Sequence, residues 1–120
     1  MILKGREIKF LRTVNATCEI ADLCPDGDIA KVDRLFLGRY SQSQINCAKF
    51  IQIMNKGYED NCAYENEEYD PVYLDEKGLL YLPQDVFQEL LTEASEAFSK
   101  GVERTVETAE DKSGKKTEQE

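Results

Sequence analysis

The sequence predicts a small, mainly α-helical domain of about four to five helices, opened by a short β-hairpin and closed by a disordered tail. Three observations predict it. Apolar residues recur at three- and four-residue spacing in Ala16 to Cys24, Ile45 to Met54 and Val86 to Val102, the period of a helix with one buried stripe. Two short β-like runs flank Gly5, where a hairpin would reverse. Beyond Val106 a single small apolar residue, Ala109, remains, so residues 107–120 cannot offset their own ordering entropy. The expected organisation is one domain over 1–106 and a charged tail over 107–120.

In chain order, Ile8, Phe10 and Arg12 share one face of the second run, and Glu7, Lys9 and Leu11 the other. A two-stranded hairpin is marginal alone and must lean on the helices. The first helix carries Ala16, Ile20, Leu23 and Cys24 on its dry side, with Thr13 or Asn15 as N-cap. Pro25 stops it, Asp26-Gly27 turns the chain, and Asp28 caps a second short helix with Ile29, Val32, Leu35 and Phe36, ending near Gly38. Ser41-Gln42-Ser43-Gln44 reads as a Ser-x-x-Gln capping box opening a third helix that ends at Lys56-Gly57. The stretch from Tyr58 to Asp75 reads as an acidic, tyrosine-bearing loop. From Leu74 to Leu82 a hairpin competes with a short helix capped by Asp75 and buried through Leu79, Leu80 and Leu82. The helix is preferred because Leu79 to Leu82 does not alternate. Pro83 suits the first position of the last helix, whose stripe is Val86, Phe87, Leu90, Leu91, Ala94, Ala97, Phe98 and Val102.

Charge divides the chain. The net charge of −9 argues against a nucleic-acid ligand, which is bound through cations that neutralise phosphate. Residues 1–58 carry nine Lys and Arg against six Asp and Glu, whereas residues 59–120 carry six against eighteen. Such polarity steers a basic partner toward the second half. No apolar run approaches the ~20 residues of a membrane span, and Met1 to Leu11 mixes charge with hydrophobe where a signal peptide would be apolar, so a cytoplasmic protein is expected.

Chemistry-bearing patterns are sparse. Cys18, Cys24, Cys47 and Cys62 lack zinc-knuckle spacing, and the chain has no histidine. Buried, reduced thiols are expected, with no metal and no cofactor. Glu93 and Glu96, three apart on the last helix, read as a solvated face. Without histidine, a phosphate loop or a paired base, no catalytic residue is assigned and an enzyme is not expected.

The order Lys9-Phe10-Leu11-Arg12-Thr13-Val14, then Ile20 through Asp28, then Ala48-Lys49-Phe50-Ile51 and Gly57-Tyr58-Glu59, resembles small prophage proteins of Gram-positive hosts, the tail assembly chaperones of long-tailed siphophages. The resemblance implies a mainly helical, non-catalytic protein of the bacterial cytoplasm, absent from the mature virion. Its implied partners are the tape measure protein, kept soluble by the chaperone, and the tail tube protein that polymerises around it. Self-association into a homo-oligomer is a further implication. The resemblance transfers no binding residue.

Two partner faces are candidates on the residues themselves. One is an exposed edge of the last helix at Phe87, Leu91 and Phe98, and the other is the acidic loop through Tyr64 and Tyr69. The first competes with a plain core stripe, the second with tyrosines that anchor a loop. A separate expectation follows from the acidic second half: a phage-encoded inhibitor that imitates DNA and blocks a host nucleic-acid-binding protein.

Overall fold

Strands β1 (Ile2–Leu3) and β2 (Arg6–Glu7) pair antiparallel, Ile2 opposite Glu7 and Leu3 opposite Arg6, in a computed structural model that describes the backbone of residues 1–113 and the side chains of residues 1–101. The reversal is a two-residue loop in which Lys4 and Gly5 both hold positive φ, 53° and 77°, whose twist matches a right-handed hairpin. The ladder ends at Glu7, and the chain then lies across the next helices. There the Ile8 amide donates to the Met1 carbonyl at 2.7 Å and the Leu11 amide to the Met54 carbonyl at 3.1 Å. Ile8 is buried, and Phe10 and Arg12 are half-buried on the expected face.

Helix α1 (Val14–Leu23) starts at the Thr13 cap, whose Oγ1 accepts from the Ala16 amide at 3.0 Å. The corner after it is a turn of 3-10 helix over Pro25–Gly27, with Asp26 and Gly27 at positive φ, and Asp28 Oδ1 caps the next segment through the Ala30 amide. That segment, Ile29–Phe36, is a 3-10 helix kinked at Lys31, where the sequence suggests an ordinary helix. The cause lies in the spacing. Ile29, Val32 and Leu35 are three apart, so a three-residue turn stacks them on one line facing the core.

Helix α2 (Tyr40–Glu65) differs most from expectation. No capping box forms: Arg39 is the cap without a side-chain bond, and Ser43 Oγ instead donates to the Tyr40 carbonyl at 2.8 Å inside the first turn. Nor does the helix stop at Gly57. Gly57 is buried where the backbone of the 8–13 segment crosses, and a Cβ there would lie 2.3 Å from the Leu11 carbonyl oxygen. It is a close-approach glycine, not a terminator. Half of the expected acidic loop is therefore helix, and only residues 66–75 remain irregular.

Helix α3 (Glu76–Leu80) is the short helix expected, its Asp75 cap accepting from the Gly78 amide at 2.9 Å. Of its three leucine candidates only Leu79 is fully buried, and Leu80 is exposed. Helix α4 (Gln84–Ser113) begins one residue after Pro83, whose carbonyl accepts the Phe87 amide at 3.0 Å. The tail expected over 107–120 lies beyond the described side chains, and residues 114–120 lie outside the described residues.

Helices α1, α3 and α4 and the 29–36 segment all pack on α2. Ile20, Ala48, Ile51, Met54, Leu90 and Ala94 are fully enclosed where α1, α2 and α4 meet. Phe50 is the aromatic centre, edge-on to Phe36 at 5.3 Å and to Phe98 at 5.5 Å, and the Arg12 guanidinium caps Phe98 at 3.8 Å. Cys24 and Cys47 are buried thiols whose pKa is raised by desolvation, but Cys18 is exposed, because it points off α1 away from the Ala16–Ile20 stripe. No helix among the described residues is long and apolar enough to cross a membrane.

Candidate partner-binding site

Three polar residues are buried in α2: Ser43, bonded within its own first turn, and Asn55 and Glu59, whose burial requires partners from elsewhere in the chain. With Gln52, Asn55 and Glu59 form a stripe at i, i+3 and i+7, so their side chains leave α2 in one direction. What they meet is the backbone of residues 69–74. Glu59 Oε1 accepts from the Val72 amide at 3.0 Å and from the Tyr69 hydroxyl at 2.8 Å, while Asn55 Oδ1 accepts from the Leu74 amide at 3.1 Å. Gln52 Nε2 donates to the Leu74 carbonyl at 3.1 Å, and Arg6 Nη2 of the hairpin donates to the Val72 carbonyl at 2.6 Å. Val72 and Leu74 are alternate residues of an extended segment. Each thus has both backbone groups satisfied, as in a sheet, by side chains standing where a neighbouring strand would be.

The same ladder ties this strap to the hairpin. Asn55 Nδ2 donates to the Lys9 carbonyl at 3.1 Å, and Arg6 Nη2 lies 3.1 Å from Glu59 Oε2, a pair whose carboxylate is 2% exposed and whose guanidinium side is 35% exposed. Tyr73 donates to Asp60, one residue further along α2. Hydrogen bonding to Glu59 holds the Tyr69 phenol up at about 12, since its proton is shared with a carboxylate that would repel a phenolate. The Tyr73 phenol is raised for the same reason by Asp60.

Because hairpin and strap are both pinned to α2, a cleft opens between them over α3. It encloses about 280 Å³ and is walled by Leu3, Ile8, Leu74, Leu79 and Leu82, with Lys4, Arg6 and Tyr73 at its sides. A second concavity of about 210 Å³ lies on the other side of α3, between Tyr40, Leu80, Gln84 and Phe87. The two share Leu79 and Leu82 as common walls. Of the side chains that line them, Tyr40 at 66%, Tyr73 at 45% and Leu80 at 42% are open to water, and Tyr81, next to Leu80 in the chain, is 77% exposed. Each hollow is smaller than the ~300–1,000 Å³ of a small-molecule pocket and suits one or two apolar side chains. Among the described residues no group of three Cys, Asp or Glu side chains could hold a metal ion.

The candidate residues named from sequence scatter. Phe87 is buried at 5% and is no exposed edge; it forms part of the floor of the second concavity. Leu91 is half-buried beside an open, mostly polar groove along α4, with Thr92, Ser95 and Ser99. Phe98 belongs to the aromatic core under Arg12. Tyr64 projects from the last turn of α2, 90% exposed, and Tyr69 is spent on Glu59. Sequence reasoning passed over Leu80, Tyr81 and Tyr40. The available signal was Leu79-Leu80-Tyr81-Leu82 itself, since one turn of helix cannot bury four consecutive large apolar side chains.

Compared with models of known families, with characterised proteins and with solved structures, the chain matches none.

Proposed function

We propose that this chain is a non-catalytic phage tail assembly chaperone, holding the tape measure protein in soluble form in the host cytoplasm while tail tube subunits assemble around it, and absent from the finished virion. The observation that supports this reading is the cluster of exposed large apolar side chains around two side-chain-sized hollows at α3. A soluble chain keeps such a cluster where another macromolecule covers it. A chaperone for a long helical client needs that kind of surface and no catalytic group. The test is co-expression with a siphophage tape measure protein. The reading expects the client to move from the pellet to the soluble fraction and to co-purify with this chain. A client equally insoluble with and without it would refute the reading.

One observation favours a second reading, an acidic inhibitor that imitates DNA. The carboxylates of Glu67, Glu68 and Asp70 sit on a strap pinned through the Tyr69 hydroxyl and the Val72 and Leu74 amides, which is the fixed display a mimic needs. Recovery of a host nuclease or polymerase on the immobilised chain, competed by duplex DNA, would select this alternative.

A further inference from the structure

We infer that the two hollows flanking α3 form one docking surface for a basic, amphipathic α-helical segment, which seats an apolar side chain in each and lays its cationic flank on the acidic strap. The inference rests on the chaperone reading only in taking the client as the natural source of that helix. The geometry of the surface comes first. The hollows meet across Leu79 and Leu82; Leu80 lines the second, and Tyr81 follows it at the end of α3, both open to water. An amphipathic helix offers apolar side chains at i, i+3 or i+4, and i+7, the arrangement by which helices enter grooves.

Charge selects the class of helix. From Glu65 to Asp85, the stretch that builds the strap, α3 and the start of α4, there are seven carboxylates and one cation, Lys77. The cations that line the first hollow, Lys4 and Arg6, stand on its hairpin side, and Arg6 is already paired with Glu59, so an acidic helix is repelled along the strap and α3, whereas a basic one gains both steering and contact there. The surface is also built in advance. Both backbone groups of Val72 and Leu74 are satisfied by Arg6, Gln52, Asn55 and Glu59, so the strap side of the first hollow is in place before any partner arrives.

Two synthetic helical peptides test the inference, one of Leu and Lys and one of Leu and Glu in the same pattern, titrated into the full chain by fluorescence anisotropy. The Leu/Lys peptide should bind at least tenfold tighter than the Leu/Glu peptide and weaken as salt is raised. Replacing Leu80→Ser together with Tyr81→Ser, both at exposed positions, should weaken the Leu/Lys peptide at least tenfold. Val14→Ser, on the 83% exposed Val14 of α1, should leave it unchanged. Equal binding of the two peptides, or equal loss in the α1 variant, would overturn the assignment. So would retention of affinity in the α3 variant.

Co-expression separates this inference from the chaperone reading. An α3 variant that still solubilises the tape measure protein removes this surface and leaves the chaperone. A wild-type chain that binds the Leu/Lys peptide at α3 but fails to solubilise the client removes the chaperone and leaves the surface.

Discussion

Glu59 shows how one side chain decides a local structure. It is 2% exposed, and its carboxylate is compensated by Arg6, the Tyr69 hydroxyl and the Val72 amide. Glu59→Ala strands the amide and the hydroxyl, and should cost about 3 kcal/mol in urea unfolding. Glu59→Gln keeps an acceptor and should cost about 1 kcal/mol. Equal losses for the two would mean that the charge, not the acceptor, is what the strap uses. Gly57 is the second decisive residue. Alanine normally favours a helix over glycine by roughly 1 kcal/mol, yet Gly57→Ala pushes a Cβ into the Leu11 carbonyl and should destabilise by about 2 kcal/mol net. A stabilised variant would show that the 8–13 segment can simply move away. Neither role was legible in sequence. A glycine after a lysine reads as a helix stop, and a glutamate in an acidic run reads as solvated, because the residues that crowd the one and neutralise the other are 46 and 53 positions away in the chain.

At the scale of elements, what could be read was local. The Lys4-Gly5 reversal, the Thr13, Asp28 and Asp75 caps, the Pro25 corner and the stripe of α4 all depend on residues within one turn of each other. What could not be read was long-range, namely the continuation of α2 to Glu65 and the strap laid on it. The strap carries a pH signature. Tyr69 has its pKa held up at about 12, against an ordinary value of 10.0, so its neutral form is favoured by folding. That contribution is fully present below about pH 10 and is lost as pH rises through about 12. Amide protection at Val72 and Leu74 should therefore fall across this window in the wild type. In Tyr69→Phe it should start lower and lose this component of the fall. An unchanged alkaline profile in the phenylalanine variant would detach the strap from Tyr69. Asp75→Ala should fray α3 at a cost of about 1 kcal/mol, seen as faster exchange at Gly78.

For the whole molecule, the proposed function rests on where the helices run out of surface to bury. α2 is covered by α1, α4 and the 3-10 segment along most of its length, and at the α3 end the covering layer is one short helix. Leu79 can turn inward there, and Leu80 and Tyr81 cannot. The apolar excess at α3 is thus a consequence of packing four large residues into a single turn, and the acidic strap beside it sets the sign of the partner. Amide hydrogen exchange on the full chain, alone and mixed with the proposed tape measure client, tests this account most directly. It predicts that amides of 69–74 are already protected in the free chain and that the complex adds protection chiefly at 76–82. Free-chain exchange over 69–74 at the rate of an unstructured loop, or new protection confined to the Leu91 side of α4, would contradict it.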